Sequence, residues 1–464
     1  MDQLVEIGTQ TLEELNRAFA LNTYLMNKSV EVGLLPTMRY LFGLEQDVAG
    51  SMLAGLRRDK SLRVGLRDIY HKTRAGARYD RLVRTFGAEL FGSASFAGEA
   101  VLAENDYLRL SYLPAAPGSA PRGVSLFHVG GFLPYSDRVF RMLPEANLFT
   151  GFLSRGIPVY AMELRRDAPT GRMKEVTLER FIDDVDRMTD VAFHHAQNGR
   201  RKMIAEGYCG LGMPTLAYVA ARPERARAKI AVVATMVAPI DGRRCEMIAG
   251  FLQLAPQALL DLHAGLATIR GGRVNGDDLR TGLDIPLGAL VYKSHLGRFA
   301  TGWGNPVYAY LDRVEDLDPA QRRELAGAYW ISAQNSRRSP MPLDLVRFFS
   351  RLFREGIDDD LTIPATYRGE PISLRSIAER TSIRVVGFYG GRDLVVPDVT
   401  AGVLARALGA RYTHVVHPRA GHISYVLSPE LWDPGHPRAL DPSPVDLLLE
   451  LCGATEYTTS HMEG

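Results

Sequence analysis

The stretch Lys202–Pro214, KMIAEGYCGLGMP, decides how this chain folds. KMIAEG reads as a short strand, and MPTLAYVAARP, from Met213, reads as a helix that stops at Arg222-Pro223. The stop follows because the residue before a proline leaves the helical region. Between them Cys209 stands after Gly207 and before the run Gly210-Leu211-Gly212. A strand that passes straight into a helix through small residues is a crossing in a wound parallel sheet. Glycines there let the backbone turn tightly and present one side chain. Two readings of Cys209 follow. It is a nucleophile on that turn, where a helix N-terminus favours thiolate chemistry, or a small buried apolar residue with glycine neighbours.

Working outward, the same rhythm repeats. GEAVLAENDYLRLSYLP alternates like a hairpin turning at Asn105-Asp106, and Pro114–Pro121 is a Pro/Gly/Ser loop. GVSLFHVGG (123–131), GIPVYAMEL (156–164) and KIAVVATMVAP (from Lys229) read as buried strands. Residues 178–196 place Leu178, Phe181, Ile182, Val185, Met188, Val191 and Ala192 on one helical side. Residues 241–375 break the rhythm with helical and loop segments, and strands return at IRVVGFYGG (383–391) and THVVHP. Strand–helix alternation predicts a mostly parallel sheet, and the interruption reads as a cap insertion. The expected organisation is a helical N-terminal region (1–95), a first core part (96–240), the cap (241–375) and a second core part (376–464).

In the N-terminal region Leu12, Leu15, Phe19, Met26 and Val30 recur at helical spacing. This is most simply a packing face, with a partner or lipid surface as the other reading. Residues 57–84 hold ten Lys/Arg against three Asp, a local net of +7. That describes a solvated helix face or a surface for an anionic partner. The whole chain carries only +2 over 464 residues, which excludes a generally basic nucleic-acid binder. Three cysteines without zinc spacing exclude a disulfide framework and a zinc site of that kind. The start MDQLVEIGTQ lacks signal-peptide layout, and no apolar run reaches the roughly 20 residues a bilayer requires. The expected compartment is the cytoplasm.

Ligands in a parallel sheet bind at the carboxyl ends of the strands, and Cys209 lies at such an end. A hydrolase-type triad runs nucleophile, acid, histidine along the chain. Asp393 sits just past a strand in GGRDLVVP, 184 residues after Cys209, and His422 sits in AGHISYV after the next strand, 29 residues on. Singly, each has a structural alternative, a loop-capping aspartate and a satisfied loop histidine. Together they fall on the edge that holds Cys209. HVGGF (128–132) resembles the His-Gly-Gly type of oxyanion loop. Backbone N–H groups of Gly210 and near Gly130 then face a developing alkoxide, against the alternative of a plain strand-end turn. His128, Cys245 and Cys452 read as structural, His194-His195 as a surface pair and Asp241 as a turn residue. No Gly-x-Gly-x-x-Gly or phosphate loop is present, and no metal or redox cofactor is implied.

Gly207-Tyr208-Cys209, GGRDLVVP and AGHISYV together resemble the polyhydroxyalkanoate synthase family, which has cysteine in a lipase-like box. Gln334-Asn335-Ser336 to Pro342-Leu343, the helix DLVRFFSRLF and YRGEPISLRSI extend the likeness over roughly residues 95–430. The departures are Leu211 where the family has glycine, a cap segment without its Trp and Asp, and Leu394 where a histidine commonly follows the aspartate. The resemblance implies an α/β-hydrolase fold and acyl transfer from 3-hydroxyacyl-coenzyme A through a covalent Cys209 intermediate. In that role His422 is the base and Asp393 its orienting acid. The implied partners are an acyl-coenzyme A or polyester substrate, a homodimer mate and a polyester granule surface, with no nucleic acid. A thioesterase, a small-molecule acyltransferase or an intracellular polyhydroxyalkanoate depolymerase uses the same three residues. A non-catalytic granule- or synthase-binding chain is the reading from another class.

Overall fold

Eight segments pair into one sheet in the computed structural model, which describes residues 2–59, 61–91, 95–132, 137–143, 147–165, 170–196, 202–276, 279, 295–331 and 340–453. The strands are β1 (Ala100–Glu104), β2 (Leu108–Leu113), β3 (Leu126–Val129), β4 (Val159–Leu164), β5 (Met203–Tyr208), β6 (Ile230–Met236), β7 (Arg384–Gly390) and β8 (Tyr412–His417). Across the sheet they run β1-β2-β4-β3-β5-β6-β7-β8. β2 is antiparallel to both neighbours, and every other pair is parallel. This order, with one reversed strand near the edge, is that of the α/β-hydrolase fold.

Local chemistry explains the elements. Asn105 closes the β1–β2 turn by accepting from the backbone N–H groups of Tyr107 and Leu108. β3 and β5 are buried along their whole length, which is why they read as apolar runs and not as alternations. The helix Leu178–His195 starts at Thr177, whose side chain caps the Arg180 N–H, and it buries Leu178, Phe181, Ile182, Val185, Met188 and Ala192.

One reading holds and one needs correction. The helix after Cys209, Gly212–Ala221, stops at Arg222-Pro223 as expected, and a second short helix, Pro223–Lys229, follows it. Pro223 ends one and opens the other, since a first-turn position needs no N–H. The segment 241–375 also holds an antiparallel hairpin, Thr362–Tyr367 with Glu370–Ser373. Arg368 and Gly369 turn it at φ of +53° and +81°. Arginine is an unusual residue for that left-handed position, so the turn carried no sequence signal.

The chain divides into two units, Met1–Ala94 with Asp277–Arg337, and Ser95–Gly276 with Arg338–Gly464. The second holds the sheet. The stretch read as one insertion is therefore shared, its ends with the sheet and its middle with the N-terminal helices. In the first unit Asp2–Ser29, Leu35–Asp59 and Leu62–Phe91 are long helices. A side chain at Gly302 would come within 2.9 Å of Gly76 Cα, so glycine permits the close approach of His295–Gly304 to Leu62–Phe91. Arg78, from the basic stretch, turns inward and donates to the carbonyls of Ala309 and Leu311 and to Asp312. The apolar stripe from Leu12 to Val30 does not pack as expected. It is exposed, Phe19 to 78%. Helical periodicity defines a face but supplies no partner for it. Among the described residues no helix is long and apolar enough to cross a membrane.

Candidate active site

β5 ends at Tyr208, a short 3-10 turn spans Cys209–Leu211, and the helix Gly212–Ala221 follows. Cys209 has φ of +51°, a left-handed conformation that L-residues with a Cβ rarely adopt. The turn is tight enough to demand glycine at two places. A Cβ at Gly207 would lie 2.4 Å from Thr215 Oγ1 and 2.7 Å from Gly212 Cα, and one at Gly212 would lie 2.4 Å from Ala238 Cβ. Gly210 makes no such demand, since its nearest neighbour would be Phe349 Cζ at 3.5 Å. Leu211 is buried, and its carbonyl accepts from Thr215 Oγ1 at 2.8 Å. Leucine is thus accommodated there, and close packing below the elbow falls to Gly207 and Gly212. Gly207→Ala should lose about 1–3 kcal/mol of stability by overpacking. Gly210→Ala should stay within about 0.5 kcal/mol. Urea midpoints of the two variants check this, and equal losses would remove the distinction.

The three candidates from the sequence come together. His422 Nε2 lies 3.2 Å from Cys209 Sγ, and His422 Nδ1 lies 2.8 Å from Asp393 Oδ2. Asp393 is buried, and its Oδ1 accepts from the backbone N–H groups of Val395 and Val396 at 2.8 and 2.9 Å. Those bonds hold the carboxylate with one oxygen presented to the imidazole. The two loops approach closely because β7 runs into glycines. A Cβ at Gly390 would meet the Ala420 carbonyl at 2.5 Å, and one at Gly391 would meet Pro418 Cα at 2.9 Å.

Burial works to lower the His422 pKa. Attraction to Cys209 and Asp393 and the hydrogen bonds to both outweigh it, and the value is pushed up to about 10. About a sixth of the imidazole surface, 17%, remains open to solvent. The arrangement therefore favours an imidazolium held between two groups that stabilise positive charge.

Gly130 lies one residue beyond β3, whose Val129 pairs with Gly207 on β5. A Cβ at Gly130 would meet the Met162 carbonyl at 2.3 Å, so only glycine fits. Gly210 sits in the first turn after β5, where backbone N–H groups lack helical acceptors. Both candidate oxyanion donors are thus at the sheet edge that holds Cys209.

Sequence reading missed three neighbours. The Tyr208 hydroxyl donates to the His422 carbonyl and ties the histidine loop to the elbow. Glu206, three residues before Cys209, is fully buried against His128. Phe349, from the helix Leu343–Glu355, borders Gly210. The period of a buried strand or an amphipathic helix marks such residues as inward but does not say what they meet.

The remaining candidates are spread elsewhere. Cys245 packs among Phe353, Tyr389, Val396 and Ala401, and burial pushes its thiol far up. Burial pushes Cys452 up to about 12. All three cysteines are free. His194 bonds the Asp190 carbonyl, and His195 lies beside Tyr112 and Tyr160. Asp241 is buried and pairs with Arg243 and Arg244. Among the described residues no group of three or more His, Cys, Asp or Glu is placed to hold a metal. The cap segment Gln334-Asn335-Ser336-Arg337 lies outside the described residues.

No protein-family model and no curated protein sequence matches the chain. Solved structures do. A soluble variant of monoglyceride lipase from Saccharomyces cerevisiae is 13% identical, covers 77% of this chain and 95% of its own, and has a TM-score of 0.48. Carboxylesterase CesB from Bacillus subtilis is 13% identical over 82% of this chain and 99% of its own, with a TM-score of 0.39. Monoacylglycerol lipase from Paleococcus ferrophilus is 15% identical over 75% and 99%, with a TM-score of 0.39. By its strand order and reversed second strand, the chain has an α/β-hydrolase fold.

Proposed function

We propose that the chain is a cysteine acyltransferase acting on acyl-coenzyme A thioesters, with 3-hydroxyacyl groups the leading substrate class. The observation that carries this reading is the line from Cys209 Sγ through His422 to Asp393, with Cys209 on a left-handed elbow. The substrate class comes from the resemblance of the three motifs.

The chemistry balances as follows. With its proton already on His422 Nε2, Cys209 attacks the thioester carbonyl as the thiolate. The carbonyl electrons move onto oxygen, where the N–H groups of Gly210 and Gly130 stabilise the charge. Collapse expels the coenzyme A thiolate, which takes the proton from His422 and leaves Cys209 acylated. A hydroxyl of a second acyl group then attacks Cys209's thioester, with His422 accepting the hydroxyl proton and returning it to the departing Cys209 sulfur. Exchange of one thioester for another keeps the first half near equilibrium, which suits a thiol nucleophile.

The test is incubation with 3-hydroxybutyryl-coenzyme A, following free thiol release and a mass adduct on Cys209. Release without an adduct would sink the covalent reading. Water in place of the second hydroxyl turns the same site into a thioesterase or a polyester depolymerase. Released free acid in place of chain growth identifies that outcome.

The acyl chain has an apolar wall to meet. Phe349, Ile248, Leu252 and Val395 are partly buried beside the core that holds Cys245 and Val396, and Phe349 reaches Gly210. Phe349→Ala should favour longer acyl chains, raising kcat/KM for an eight-carbon over a four-carbon thioester about tenfold. An unchanged ratio would place the acyl chain elsewhere.

A further inference from the structure

We infer that His128 and Glu206 form a buried positioning pair that sets the oxyanion loop at Gly130, an inference that rests on the acyl-transfer reading above. Both side chains are fully buried, and His128 Nδ1 lies 2.5 Å from Glu206 Oε2. They stand opposite one another in register, His128 on β3 and Glu206 on β5. Each strand carries one half of the proposed machinery. β3 runs on to Gly130 two residues after His128, and β5 runs on to Cys209 three residues after Glu206. The bond therefore joins the two strands immediately before the oxyanion donor and the nucleophile.

The imidazole orientation is fixed on its other sides by aromatic edges. Phe140 lies 4.5 Å and Phe149 5.0 Å from it, centroid to centroid, with ring planes inclined to it by 63° and 75°. Held this way, Nε2 comes within 3.0 Å of the position a Gly130 Cβ would occupy, so the ring backs the Gly130 backbone directly. Phe140 also meets Tyr208 edge to face at 5.4 Å, which carries the same layer to the residue before Cys209. An ionisable pair in a fully apolar layer is costly to bury unless both members are bonded to each other. Stability alone is served as well by apolar residues of similar volume. The pair instead fixes a direction, because a hydrogen bond between a ring and a carboxylate restricts rotation where packing alone restricts only volume.

The expected consequence is selective. Acyl transfer needs the oxyanion donor in place, whereas alkylation of Cys209 by iodoacetamide develops no alkoxide and does not. His128→Asn retains a donor toward Glu206 but removes the ring behind Gly130. Glu206→Gln is isosteric and weakens the bond. Each variant should lower kcat for acyl-coenzyme A turnover about 10- to 100-fold, with KM within about twofold and the Cys209 alkylation rate unchanged. Glu206→Gln, which changes no volume, serves if His128→Asn folds poorly, and the alkylation rate itself reports an intact elbow. Turnover within about twofold of the parent, a loss confined to KM, or an equal fall in alkylation would each overturn the inference. A parent protein that alkylates but transfers no acyl group overturns the acyl-transfer reading and this inference with it. A parent that turns over with unaffected variants overturns this inference alone.

Discussion

Cys209→Ala should abolish acyl transfer, with a fall in kcat of about 10⁴- to 10⁶-fold, because it removes the atom that bonds to the substrate. The structure makes the variant interpretable. Cys209 is half-buried at φ of +51°, and alanine keeps the Cβ, so the elbow need not rearrange. His422 loses the sulfur 3.2 Å from Nε2 but keeps Asp393, and the Tyr208 bond to its carbonyl remains. The measurement pairs steady-state turnover with intact-protein mass after acyl-coenzyme A is added. Loss of both rate and adduct is the expected result. A variant that turns over as fast as the parent would show that sulfur is not the nucleophile. Cys245→Ala is the matched control. Its thiol is buried in a core and should leave turnover unchanged.

Asp393→Asn should cost about 10⁴-fold in kcat and move the pH profile. Asparagine can keep its oxygen on the Val395 and Val396 N–H groups, where Asp393 Oδ1 now accepts, so the loop should hold. Its amide then faces His422 Nδ1 as a donor, which favours the wrong tautomer and withdraws the negative charge. The sign on pH follows from His422. Its proton must reach the leaving thiolate, and that proton is held up to about 10. The parent should therefore stay active through the neutral range and lose activity on the alkaline side near pH 10, without a limb at the 6.5 of a free imidazole. Asp393 is among the groups that raise the value, so the variant's alkaline limb should move to lower pH. Stability has the same sense. The folded value lies above 6.5, so the contribution is complete below that pH and is lost as pH rises through about 10. A variant with an unmoved limb would remove Asp393 from the relay.

The sheet was legible because its chemistry is local. β3 and β5 are continuous apolar runs, the Asn105 turn bonds to its own neighbours, and Pro223 breaks the helix it follows. Gly207 could be read as a demand for space without knowing that Thr215 and Gly212 fill it. The Arg368-Gly369 hairpin escaped because its turn uses an unusual residue. The stripe from Leu12 to Val30 misled for the opposite reason, since its period is clear and its face is exposed.

By itself the sequence determined which residues stand on which strand ends. The spacing of Cys209, Asp393 and His422 put all three on one edge of a parallel sheet, because strand direction and crossover length are properties of the chain. Only the tertiary structure decided what they touch. It set Cys209 in a left-handed turn, showed that Leu211 is accommodated while Gly212 takes the close contact, and paired His128 with Glu206 across 78 residues. The physical reason is that a hydrogen bond depends on distances of tenths of an ångström between segments the sequence leaves far apart. Those distances are fixed by packing the whole sheet, not by any one strand.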